Sequence, residues 1–75
     1  MRRHMTPDQI KLKTKAGITV SIVQGQGTYS TDGTVEVGAW DAAGRWVYLG
    51  EHDTVEGYVD VPALIEILQR VERMG

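Results

Sequence analysis

The titratable side chains of this 75-residue sequence come closest together at Glu51-His52-Asp53. A carboxylate beside an imidazole is the usual material of general acid–base catalysis or of a metal site. Three consecutive loop residues point in different directions, however, and a metal needs ligands converging from several elements. The other histidine, His4, lies close to the N-terminus. There is no cysteine, which excludes a thiolate zinc site, a cysteine nucleophile and any disulfide. Ser21 and Ser30 lack the sharp strand-to-helix turn that exposes a catalytic serine. The acidic-histidine cluster therefore reads as a solvated loop.

Gly25-Gln26-Gly27 follows an apolar run, as a phosphate-binding turn would. The third glycine of the dinucleotide fingerprint is missing, because Ser30 stands in its place, and a strand pattern follows where a helix is required. No lysine is positioned as in a nucleoside-triphosphate loop. The segment reads as a flexible hairpin loop. No catalytic residue, metal ligand or cofactor is implied, and the expectation is a protein that is not an enzyme.

The aromatic residues carry more information. Trp40, Trp46 and Tyr48 fall on two runs joined by the short connection Asp41 to Gly44, so the runs should be neighbours in a sheet. Trp46 and Tyr48 alternate with Val47 and Leu49. If the aliphatic side faces a helix, the three rings gather on the outer face, bordered by Arg45 and Glu36. Tryptophan and tyrosine are common anchors of protein interfaces. They also stack nucleic-acid bases, normally among positive charges, whereas the sequence around these rings is largely acidic.

Positive charge lies elsewhere. Net charge is −2, but residues 1–15 carry Arg2, Arg3, Lys11, Lys13 and Lys15 against Asp8, while residues 16–75 sum to −6. This asymmetry suits a basic arm that docks on phosphate, a pairing of the two halves, or an edge strand guarded by lysines.

The elements that must hold these residues are legible from periodicity. Residues 1–8 read as a tail, with Thr6-Pro7-Asp8 turn-like. From Gln9 to Lys15 the alternation is clean, with Ile10, Leu12 and Thr14 on one face and three lysines on the other. Ala16-Gly17 makes a tight turn, and Ile18 to Val23 returns with Ile18, Val20 and Ile22 inward. A loop from Gln24 to Gly33, with Tyr29 near its middle, precedes a strand over Thr34 to Trp40 that turns Val35, Val37 and Ala39 to one side. Arg45 to Leu49 reads as a fourth strand, and Val55 to Val59 as a short fifth strand or an extended lead-in to a helix. Asp60 is placed to cap that helix and Pro62 sits in its first turn. Val61, Leu64, Ile65, Ile67, Leu68, Val71 and Met74 cover about half of its circumference, more than the roughly 100° stripe a helix on a sheet needs. Glu66 and Arg70 are spaced as a solvent-side pair.

The expected architecture is thus one α+β domain over residues 9–75. It is a four- to five-stranded, mainly antiparallel sheet, a meander of hairpins, packed against one C-terminal helix. No stretch approaches the ~20 apolar residues that span a bilayer, and no apolar segment follows Arg2 and Arg3 as in a signal peptide. A small soluble, cytoplasmic domain is expected. Chains of this length bury only roughly 60% of their unfolded surface, so self-association as a homodimer is a natural supplement.

From Asp32 to Leu68 the strand, the Asp-x-x-Gly turn, the aromatic strand, the His-Asp loop and the proline-started helix resemble small actinobacterial-phage proteins. The resemblance implies a viral protein acting on a surface of a host protein, in the host cytoplasm, and carries no residue roles. The leading expectation is a non-catalytic protein-interaction module that modulates or inhibits a host protein through Trp40, Trp46, Tyr48 and Arg45. The alternative is a nucleic-acid-binding accessory protein using Arg2, Arg3, Lys11, Lys13 and Lys15.

Overall fold

The computed structural model describes residues 8–25, 27–50 and 53–74. Four strands run in chain order, β1 (Asp8–Lys13), β2 (Thr19–Gln24), β3 (Val35–Trp40) and β4 (Val55–Val59), followed by helix α1 (Val61–Arg73). They form one antiparallel sheet in the order β1-β2-β3-β4, the α+β meander expected from the alternation. β1 starts at Asp8, a residue assigned above to the tail; the rest of that segment, with Arg2, Arg3 and His4, lies outside the described residues.

The first hairpin closes as its sequence demands. Gly17 takes φ +92°, and its N–H donates to the Thr14 carbonyl at 3.0 Å. The Thr14 hydroxyl accepts from the Ile18 N–H at 3.2 Å, so Thr14 belongs to the turn and β1 ends at Lys13. Register then sorts the residues by face. Ile10 lies opposite Ile22 and Leu12 opposite Val20. Val20 in turn lies opposite Ala39, and Ile22 opposite Val37. These residues make the helix side of the sheet.

The fourth strand is not the expected one. Over Arg45 to Leu49 the chain makes only an isolated bridge, Trp46 to Trp40, with the Val47 N–H donating to the Ala39 carbonyl at 2.9 Å. It then leaves the edge of β3, and Val55 takes the place beside Gly38. Where it leaves, Leu49 is 1% exposed and sits in the core. A turn in which the Leu49 and Gly50 N–H groups both donate to the Asp53 carbonyl carries the chain back to start β4.

The helix begins as predicted. The Asp60 carboxylate accepts from the Ala63 N–H at 3.1 Å, and Pro62 stands in the first turn, where its missing N–H leaves no bond unmade. Arg70, expected to pair with Glu66, instead donates to the Leu49 carbonyl. Ile67 and Val71 are its buried positions, and they join Ile18, Val20, Val37, Ala39, Leu49 and Val59 in the core.

Eight buried apolar side chains among the described residues are a thin core, so each one counts. Leu49→Ala is expected to lower stability by about 2–5 kcal/mol, the range for a buried leucine that leaves a cavity. Urea unfolding followed by circular dichroism measures this as a lower midpoint at an unchanged slope.

Candidate interaction face

On the sheet face away from the helix, register assembles a surface that no single stretch of sequence contains. Thr19 lies opposite Trp40, Ser21 opposite Gly38 and Val23 opposite Glu36. Lys13, Lys11 and Gln9 extend these rows onto β1. Trp46 joins Trp40 through the isolated bridge, and their rings meet edge to face with centroids 5.5 Å apart. Such a pair adds about 0.5–1.5 kcal/mol beyond its area.

Gly38 makes this packing possible. A Cβ built there would stand 3.1 Å from the Trp46 ring, so the indole lies directly on the strand backbone. Val55 flanks the same spot. Trp46 is thus held in place on two sides while remaining 55% exposed. A large ring that is already fixed loses little conformational freedom when a partner covers it.

The lysines of β1 belong to this face as well. Lys11 reaches across β2 and places its ammonium 5.7 Å from the Trp40 ring centroid, within cation–π range. Gln9 Nε2 donates to Ser21 Oγ at 3.1 Å, which satisfies the one polar side chain of the buried set. The neighbourhood of the tryptophans is therefore basic on the β1 side, although the flanking sequence is acidic. Neighbours along the chain alternate faces, and neighbours across the sheet come from residues roughly 30 positions away.

Arg45 and Tyr48 sit at the margin. Asp41 organises the turn that presents them: its Oδ1 accepts from the Ala43 and Arg45 N–H groups, each at 2.9 Å, and its Oδ2 accepts from Arg45 Nε at 3.1 Å. The Arg45 N–H first, with the Ala43 N–H and the guanidinium adding to it, holds the Asp41 carboxyl below its ordinary value. Tyr48 is exposed. The ring pairs among the described residues join Trp40 with Trp46 and Tyr29 with Tyr58, and Tyr48 belongs to neither.

The Tyr29–Tyr58 pair was not foreseen. The loop after β2, expected to be a flexible hairpin loop, is tied down by its own hydrogen bonds. Gln24 Nε2 donates to the carbonyls of Thr31, Asp32 and Thr34. Thr31 and Thr34 are bonded to each other, and the Tyr29 N–H donates to Glu36 Oε1 at 3.1 Å. This places the Tyr29 Cβ where a side chain at Gly57 would stand, 2.7 Å from its built Cβ. The Tyr58 N–H donates to the Tyr29 carbonyl at 2.8 Å, and the two rings lie 6.2 Å apart. Tyr58 takes φ +54° at a register shift between β3 and β4. The available signal was glycine inside two strand patterns, Gly38 and Gly57, which marks close approach of another group.

No cluster of three or more histidine, aspartate or glutamate residues suited to a metal occurs among the described residues. Of Glu51-His52-Asp53, only Asp53 is described, and its carbonyl is used in the turn after Leu49. No described helix is long and apolar enough to cross a membrane. No protein-family model, curated protein or solved structure matches the chain.

Two outcomes test this geometry. Tyr58→Gly and Tyr58→Ala both delete the ring, but only glycine adopts φ +54° freely; the glycine variant is expected to be more stable by about 1 kcal/mol in chemical unfolding. Because the folded pKa of Asp41 is depressed, its contribution is complete above the unfolded value near 3.8 and is lost as pH falls through the lower folded value. The Ala43 and Arg45 amide resonances, followed by NMR on acidification, should therefore shift with a midpoint below 3.8.

Proposed function

We propose that this chain is a non-catalytic protein-interaction module that docks on another protein through the outer face of its sheet. Trp46 is the anchor, with Trp40 behind it and Tyr48 and Arg45 at the rim. The observation that supports this reading is the placement of Trp46. It is packed on the Gly38 backbone and against Trp40, yet more than half of its surface faces solvent. Anchors of this kind carry most of the binding energy of an interface when a partner surrounds them and excludes water. In line with the resemblance to actinobacterial-phage proteins, the partner is a host protein whose activity the module modulates or inhibits, in the host cytoplasm.

A second reading has an observation of its own. Lys11 and Lys13 share the face with the tryptophans, and Lys11 lies over the Trp40 ring. Aromatic rings bordered by cations are how sheets hold single-stranded nucleic acid. In this reading Lys15, and Arg2 and Arg3 from outside the described residues, add to the footprint of a nucleic-acid-binding accessory protein.

The two are separated by binding assays on one pair of proteins. The tagged chain, incubated with nuclease-treated actinobacterial lysate, is expected to retain a stoichiometric protein. The Trp46→Ala/Tyr48→Ala variant, with an unchanged far-ultraviolet circular dichroism spectrum, is expected to lose it. Retention by the variant would remove this surface from the reading. A labelled oligothymidine that binds with an affinity falling steeply with salt would establish the second reading instead.

A further inference from the structure

The helix covers only part of the sheet. Its buried residues, Ile67 and Val71, share the core with residues of β2, β3 and β4 and with Leu49, whereas β1 contributes no residue to the core among the described residues. Ile10 is 59% exposed and Leu12 51%, although both point to the helix side. On the helix, Val61 is 65% exposed and Ile65 52%. Between strand and helix the partly buried Ile22, Val35, Leu64 and Leu68 form a floor. Two hollows open along it and meet at Gln24 and Val35, one of about 210 Å³ against Val61 and Leu64, the other of about 160 Å³ against Ile10.

This is the wide apolar stripe of the helix in three dimensions. One flank is spent on the core and the other forms a ridge, Val61 and Ile65, one helical turn apart. Beside the start of the ridge the two hollows, joined at Gln24 and Val35, make a trough that reaches from Val61 to Ile10. A ridge and a trough of matching apolar character on one face are self-complementary under a two-fold axis, in which each ridge fills the other trough.

We infer that a second copy of this chain occupies the trough, forming an isologous dimer through the Ile10–Leu12 and Val61–Ile65 surfaces. The four exposed aliphatics present on the order of 400 Å² of apolar surface, within the size of the largest patches monomers show. It is also about half of the roughly 800 Å² that each partner contributes to a standard interface. The rims of β1 and the helix supply the rest. A core of eight buried side chains gives such association a clear stabilising role, since the dimer buries what the monomer is too small to cover. The outer face stays open in this dimer, so each assembly presents two copies of the tryptophan pair.

Sedimentation equilibrium of the full chain between 5 µM and 1 mM tests the inference. The expected result is a mass of two chains, with the dissociation constant raised at least tenfold by Ile65→Glu and, separately, by Leu12→Glu. Both positions are exposed, and circular dichroism of each variant checks that the fold survives. As a second measurement, isotope-filtered NMR on a mixed labelled and unlabelled sample should show contacts between Ile65 and β1 of the other copy. A single-chain mass at every concentration would overturn the inference. So would a dimer that neither substitution weakens but Trp46→Ala does, because the outer face would then be the self-contact.

Discussion

Leu49 has to be buried, and much of the fold follows from how that is done. Along the edge of β3 the residues after Gly44 begin an antiparallel ladder, with Trp46 opposite Trp40 and Val47 bonded to Ala39. Leaving that ladder lets Leu49 fill the space between sheet and helix, where burial of such a side chain contributes about 1.5–3 kcal/mol. The departure frees the lower half of the β3 edge for β4. It also exposes the Leu49 carbonyl to Arg70, so one residue joins the sheet, the connecting turn and the last part of the helix.

The same departure shapes the outer face. Because β4 pairs beside Gly38, Val55 and the Trp46 ring both stand over that glycine, on one side of an indole whose other side faces solvent. Lower along β4 the chain meets the loop after β2, where Tyr29 occupies the space over Gly57. The ladder absorbs this by shifting register and by placing Tyr58 in the left-handed region, held by a bond to the Tyr29 carbonyl. Two glycines set in strands thus seat two rings on the backbone.

What the sequence disclosed tracks the range of the interactions involved. The first hairpin, the faces of β1 to β3, the Asp41 turn and the capped helix are set by residues within a few positions of one another, and period and turn chemistry show them directly. The clean alternation of Trp46, Val47, Tyr48 and Leu49 looks like a strand because strand and core requirements agree up to Val47 and part only at Leu49. The pairing of lysines with tryptophans, and of Tyr29 with Tyr58, joins residues about 30 positions apart through register, which one sequence does not reveal. The excess width of the apolar helix stripe was visible, and the structure resolves it into a buried flank and an exposed one.

β1 and β4 are both edge strands held by one ladder, but β1 is exposed along its whole length, whereas β4 buries Val59. Opening β1 breaks the β1–β2 ladder, the Gln9–Ser21 bond and the Lys11–Trp40 contact but displaces none of the buried apolar side chains, while opening β2 or β3 dismantles the core. Protein stability is distributed in just such units, from segments that detach at little cost to those that open only with the whole molecule. The molecule therefore has a built-in order of disassembly, in which the lysine-bearing strand detaches while the remaining three strands and the helix stay folded. A partner that bound β1 would also staple that strand to the rest of the fold.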